Sequence, residues 1–114
     1  MATACTNAGC KSPVPAELES VSQCVLHFTQ KLERTCWDLR LEIARGTAST
    51  ARNAELADFV ADQGEVLARV GTRTPKLSDE LKSRILATFL TLMNLHENLE
   101  RAAGRRSSIS APQS

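Results

Sequence analysis

The sequence predicts an all-α protein: a three-helix antiparallel bundle, or short coiled-coil-like hairpin, with disordered termini. Three observations carry this. Apolar residues recur at steps of three and four along three separate stretches. Gly46, Gly71 and Gly104 close those stretches. No segment alternates with period two, and Tyr is absent. With 114 residues the chain has room for one domain. The expected layout is an arm over 1–14, a three-helix domain over 15–104 and a polar tail over 105–114.

Helix 1 is expected over 16–45. Pro13 and Pro15 close the small, polar arm, and Glu17 and Glu19 put negative charge in a first turn, where the helix dipole favours it. Leu18, Val21, Val25, Phe28, Leu32, Thr35 and Leu39 then step alternately by three and four, the a/d rhythm of a coiled-coil seam. Arg45 followed by Gly46 reads as a basic last turn and a stop. The loop "GTASTARN" leads to helix 2, expected over 53–70, with Asn53 or Thr50 as its cap. Leu56, Val60, Leu67 and Val70 share its apolar face. Gln63 and Gly64 interrupt that face, at a cost of about 1 kcal/mol against an Ala-like helix.

Helix 3 is expected over 75–103. Thr74-Pro75 and Ser78 followed by Asp79-Glu80 are equally good starts. Three pairs at i, i+4 would support the helices: Glu65–Arg69, Glu80–Arg84 and Glu97–Arg101. The stretch "LATFLTLMNLHENLERAAG" is too apolar for one face. Leu81, Ile85, Leu92, Leu95 and Leu99 form one seam; Leu86, Phe89, Met93 and His96 form a second, about 100° round, with Leu90 farther still. A bundle helix needs a stripe only a little over about 100° wide. The surplus faces either both flanking helices or another chain. Helix 1 has its own surplus in Leu26, Trp37 and Leu41. The candidate partner-binding residues are therefore Leu26, Trp37, Leu41, Leu86, Phe89, Leu90, Met93 and Leu95. Helices 1 and 3, at about 30 residues, would reach about 45 Å and outrun helix 2 at about 27 Å. The uncovered part, where Leu18–Val25 and Leu92–Leu99 would meet, is a further argument for a partner.

Composition excludes several classes. The net charge of +1 argues against nucleic acid as the main partner. No apolar run of about 18 residues exists to cross a membrane. The opening "MATACTNAGCKSPVP" has neither the apolar core of a secretory signal nor the arginines of a mitochondrial presequence. The four cysteines, Cys5, Cys10, Cys24 and Cys36, then read as reduced thiols in a cytoplasmic protein.

Chemistry is thin on paper. His27 and His96 are the two histidines, no phosphate loop is present, and no nucleophile–base pair can be assembled. Neither an enzymatic role, a small-molecule substrate nor a cofactor is expected. Cys24 and His27 stand at i, i+3, with Cys36 three turns on. A tetrahedral zinc site wants four ligands, so Cys5 and Cys10 would have to fold back from the arm. The expectation is no metal, with Cys24 and Cys36 packed as small apolar residues. In "RRSS", Ser108 fits the Arg-Arg-x-Ser pattern of basic-directed kinases.

The composite points to a non-enzymatic helical interaction module: a small adaptor or subunit that binds another protein, or itself, through apolar faces of helices 1 and 3. Two alternatives stand beside it. One is an export or assembly chaperone of the flagellar or type III secretion kind. "LMNLHEN", residues 92–98, resembles the Asn-containing segment of flagellar hook-protein chaperones over that handful of residues, with Leu99 where those carry Gly. The other is a thiol- or metal-dependent regulator using Cys24, His27 and Cys36.

Overall fold

A computed structural model describes residues 5, 6, 9, 10 and 12–104. The proposed phosphorylation acceptor Ser108 and the rest of the tail lie outside the described residues. Three α-helices form the bundle: α1 (Val25–Arg45), α2 (Thr50–Arg73) and α3 (Asp79–Ala102). A short 3-10 turn, Ala16–Leu18, precedes them.

The start of α1 differs from the sequence expectation by nine residues. The helical rhythm at Leu18 and Val21 belongs instead to a tight turn. Ser22 donates from its backbone N–H to the Leu18 carbonyl at 2.9 Å. It does so in the left-handed region, at φ 52°, where an L-residue cannot continue a helix. The chain therefore stops, reverses and restarts at Cys24, the N-cap of α1. Leu18 still reaches the core and is fully buried, because the 3-10 turn packs on α2.

The other boundaries shift less. Ser49, rather than Thr50 or Asn53, caps α2 by accepting from Arg52 N–H at 3.0 Å. Gly71 does not stop α2, which continues to Arg73. Ser78 caps α3 by accepting from Leu81 N–H at 3.1 Å, and Gly46 ends α1 in the left-handed conformation at φ 66°. The helices number 21, 24 and 24 residues, or about 31, 36 and 36 Å. They are nearly equal in length, so the length mismatch that argued for a partner is gone.

The seams pack as their spacing requires. Val25, Phe28, Leu32 and Leu39 of α1, Leu56, Val60, Leu67 and Val70 of α2, and Ile85, Leu92, Leu95 and Leu99 of α3 are all buried. Helix α3 is the central element, packed along α2 and against α1, while α1 and α2 scarcely touch. Side-chain neighbours give the directions. Gly71 faces Ile85 and Gly64 faces Met93, so α2 and α3 are antiparallel. Arg84 pairs with Glu33, and Ala44 shares a cavity with Asn98, so α1 and α3 run parallel. Leu18 and Val25 thus lie at the start of α3, away from Leu92–Leu99.

Gly64 has a packing reason that its sequence context hides. A Cβ there would come within 2.8 Å of Met93 Cε and 4.0 Å of Phe89 Cε1. The missing side chain lets the second seam of α3 settle onto α2. Of the three helix-surface pairs, Glu65–Arg69 forms. Arg84 reaches across to Glu33 on α1 with a two-pronged contact, and Arg101 turns to Asn98.

Candidate metal centre

Residues that the sequence separates by 22 positions meet at the N-terminal end of α1. Cys5, Cys10, Cys24 and His27 place their ligand atoms within 4.8 Å of one another. Each is positioned by a separate piece of local structure. Cys24 is the N-cap and His27 stands one turn on, so both project from the same edge of α1. Gly9, at φ 77°, turns the arm before Cys10. The Thr6 N–H donates to the Ser22 carbonyl at 2.8 Å, which ties the segment carrying Cys5 to the turn preceding Cys24. Val14 and Leu18 anchor the chain between them in the core.

Three of the separations lie close to those of a tetrahedral zinc site. Zinc bonds of about 2.3 Å to sulfur and 2.0–2.1 Å to nitrogen, at tetrahedral angles, set two thiolates about 3.8 Å apart and a thiolate and an imidazole nitrogen about 3.5 Å apart. Cys10 Sγ and Cys24 Sγ are 3.8 Å apart. Cys5 Sγ and Cys24 Sγ lie 3.2 and 3.3 Å from His27 Nδ1. Three sulfurs and one imidazole nitrogen suit a soft or borderline cation and not calcium or magnesium.

Burial pushes the Cys24 thiol above its ordinary value of 9.0, against the lowering effect of a hydrogen bond at His27. Desolvation is the largest of these effects, and the metal-free thiol is protonated at neutral pH. Once ionised by a metal, the same sulfur sits at the positive end of the α1 dipole.

Gln23 stands beside the cluster. Its Oε1 is buried and has no hydrogen-bond partner among the described residues. Gln23 and His27 line one cavity. A metal-ligating imidazole almost always donates its second ring N–H to an oxygen acceptor. With Nδ1 turned to the sulfurs, His27 has Nε2–H left, and the Gln23 carbonyl oxygen, which borders the same cavity without a donor, is a candidate acceptor for it. Replacing Gln23 by Leu is expected to weaken zinc about tenfold or more, measured by competition with a chromophoric chelator, while helix content stays unchanged.

The placement differs from the sequence expectation at each end. Cys5 and Cys10 do fold back, and Cys36 is not part of the cluster. Cys36 is buried in a groove between α1 and α3, and burial raises its thiol above 9.0, with Arg40 opposing. The spacing C-x4-C, followed by C-x2-H, was visible as a pattern. What the sequence withheld was that the arm returns to α1.

The apolar candidates divide. Trp37 (61% exposed), Leu86 and Leu90 (58% each), Leu41 and Leu26 stand at the surface. Phe89 and Met93 are half-buried against the core, on the α2 side. Leu95 is buried, and this corrects its place among the partner-binding residues: its side chain fills the α1–α3 seam. A shallow groove of about 350 Å³ between α2 and α3 is bordered by Gly71, Ile85, Leu86 and Phe89. Among the described residues no helix is long and apolar enough to cross a membrane.

The fold and the cluster together define a three-helix bundle with a cysteine–histidine centre at one end. No described protein family, curated protein or solved structure matches the chain.

Proposed function

We propose that the chain is a non-enzymatic helical protein that binds one Zn2+ through Cys5, Cys10, Cys24 and His27. The observation that supports this best is the ligand spacing, above all the 3.8 Å between Cys10 Sγ and Cys24 Sγ. Four protein ligands complete a tetrahedron and leave no position for water or substrate, the arrangement of structural rather than catalytic zinc. In this reading the metal staples the arm, from Cys5 to Val14, onto the bundle. It is the thiol- or metal-dependent alternative with a different ligand set. Thiolate ligands need a reducing compartment, which agrees with a cytoplasmic location.

The test is direct. Protein purified under reducing conditions is expected to carry one zinc per chain by elemental analysis. Cobalt substitution should give the intense visible bands of a tetrahedral site and the near-ultraviolet charge transfer of thiolate ligands. Sub-stoichiometric metal after zinc loading, or a six-coordinate cobalt spectrum, overturns the reading.

A second reading concerns what the bundle is for. Trp37, Leu86 and Leu90 are large apolar side chains held at the surface of rigid helices. Such positions suit the binding of another protein, as expected of a small adaptor or subunit. Zinc and adaptor roles are compatible, with the metal stabilising the scaffold that presents these faces. A flagellar-type export chaperone would use the same faces on an unfolded client.

A further inference from the structure

We propose that Cys10 is a site of peroxide oxidation, and that its oxidation ejects the metal by forming a Cys10–Cys24 disulfide. This rests on the zinc reading above. Three observations carry it. Of the ligand thiols, Cys5 and Cys24 are 6% and 4% exposed, while Cys10 is half-buried, so an oxidant in solution reaches Cys10 first. A resolving thiol is already in place, with Cys24 Sγ 3.8 Å away. And Cys10 sits outside any helix, directly after the left-handed Gly9, around which there is open space. Closing from 3.8 Å to a disulfide bond of about 2.05 Å therefore moves the arm and not the bundle.

The chemistry balances with one equivalent of hydrogen peroxide. The Cys10 thiolate attacks a peroxide oxygen, the O–O bond breaks, hydroxide leaves, and Cys10 becomes a sulfenic acid. The Cys24 thiolate then attacks Cys10 Sγ; the S–S bond forms, the S–O bond breaks, and a second hydroxide leaves. Two electrons pass from the two sulfurs to peroxide. The cation is left with Cys5 and His27 alone, half of its tetrahedron, and dissociates. Cys36 takes no part. It lies twelve residues beyond Cys24 on the same straight helix, about 18 Å along the axis.

The experiment treats the zinc-loaded full chain with hydrogen peroxide. Zinc release is followed with a chromophoric chelator, and the disulfide is mapped by peptide mass spectrometry. The expected result is one zinc released per chain with a Cys10–Cys24 linkage, reversed by dithiothreitol and added zinc. Cys36→Ser should behave as the parent. Cys10→His keeps a fourth ligand without a thiol, and its zinc release should slow about tenfold or more. Retention of zinc under peroxide, or a first linkage between Cys5 and Cys24, overturns the inference. The linkage map of the unmutated chain decides this even if Cys10→His fails to load. A chain that never takes up zinc defeats the metal reading itself, whereas one that takes up zinc and keeps it defeats only the switch.

Discussion

Stripping the metal with a strong chelator under reducing conditions is expected to lower the melting temperature by about 15 °C or more while leaving most helix content in place. The magnitude follows from linkage: a ligand held at about a thousandfold over its Kd stabilises the folded state by about 4 kcal/mol. For a domain of this size each kcal/mol shifts Tm by about 4 °C or more. Helicity persists because Leu32, Leu67, Leu92 and Leu99 remain packed without the arm. Cys24→Ser should reproduce the chelated state and be insensitive to added zinc. Affinity must also fall as pH falls. Burial raises the Cys24 thiol, so metal binding expels its proton at neutral pH. That proton alone costs about tenfold in apparent affinity per pH unit on acidification, and any other thiol proton displaced adds to it. Scanning calorimetry with and without chelator, and zinc competition at two pH values, measure both effects. An unchanged Tm would mean that the cluster holds no metal that matters to the fold.

Leu95→Glu and Leu90→Glu should separate the core of α3 from its surface. Leu95 is buried at 3% exposure in the α1–α3 seam, and Leu90, five residues earlier, is 58% exposed. A carboxylate at 95 is desolvated in that seam, where Arg40 at the cavity wall is the cation within reach, and it loses the apolar contacts of a leucine. The cost is about 3 kcal/mol or more, enough to unfold a large fraction of a small bundle. A carboxylate at 90 meets water and should change stability by about 0.5 kcal/mol or less. Circular dichroism melts of the two variants test this. Leu90→Glu is then the clean probe of the adaptor reading, because binding to a partner can be lost while the bundle stays intact. A folded Leu95→Glu variant would contradict the packing described here.

Much of the fold was legible because helix periodicity is a local property. Leu56, Val60, Leu67 and Val70 announce a buried face whatever they pack against. The glycine at 46 and the Ser78–Asp79–Glu80 start are equally local signals. The start of α1 escapes the periodicity for a physical reason. Leu18 and Val21 keep the rhythm of the seam, yet Ser22 adopts a left-handed conformation that no spacing rule registers. Leu18 keeps its place in the core by a different route. The second seam of α3 posed a question with two answers, and only packing could choose between them. Phe89 and Met93 rest on α2 opposite the gap left by Gly64, whereas Leu86 and Leu90 remain outside. An interruption that reads as a weak point in α2 is a place where side chains of α3 pack close to its backbone.

By itself, then, the sequence determined the helices, their faces and about half of their ends, since each depends on residues within one or two turns. Tertiary structure alone brought the four candidate ligands together. Cys24 and His27 form half a site, visible at i, i+3. Cys5 and Cys10 complete it only because Val14 and Leu18 bury the returning chain and Thr6 bonds to Ser22. Closing a loop of that length is opposed by chain entropy, and it is repaid by contacts between residues far apart in sequence. Periodicity carries no record of such contacts, so a polar arm with two cysteines reads as a loose end until its burial is seen.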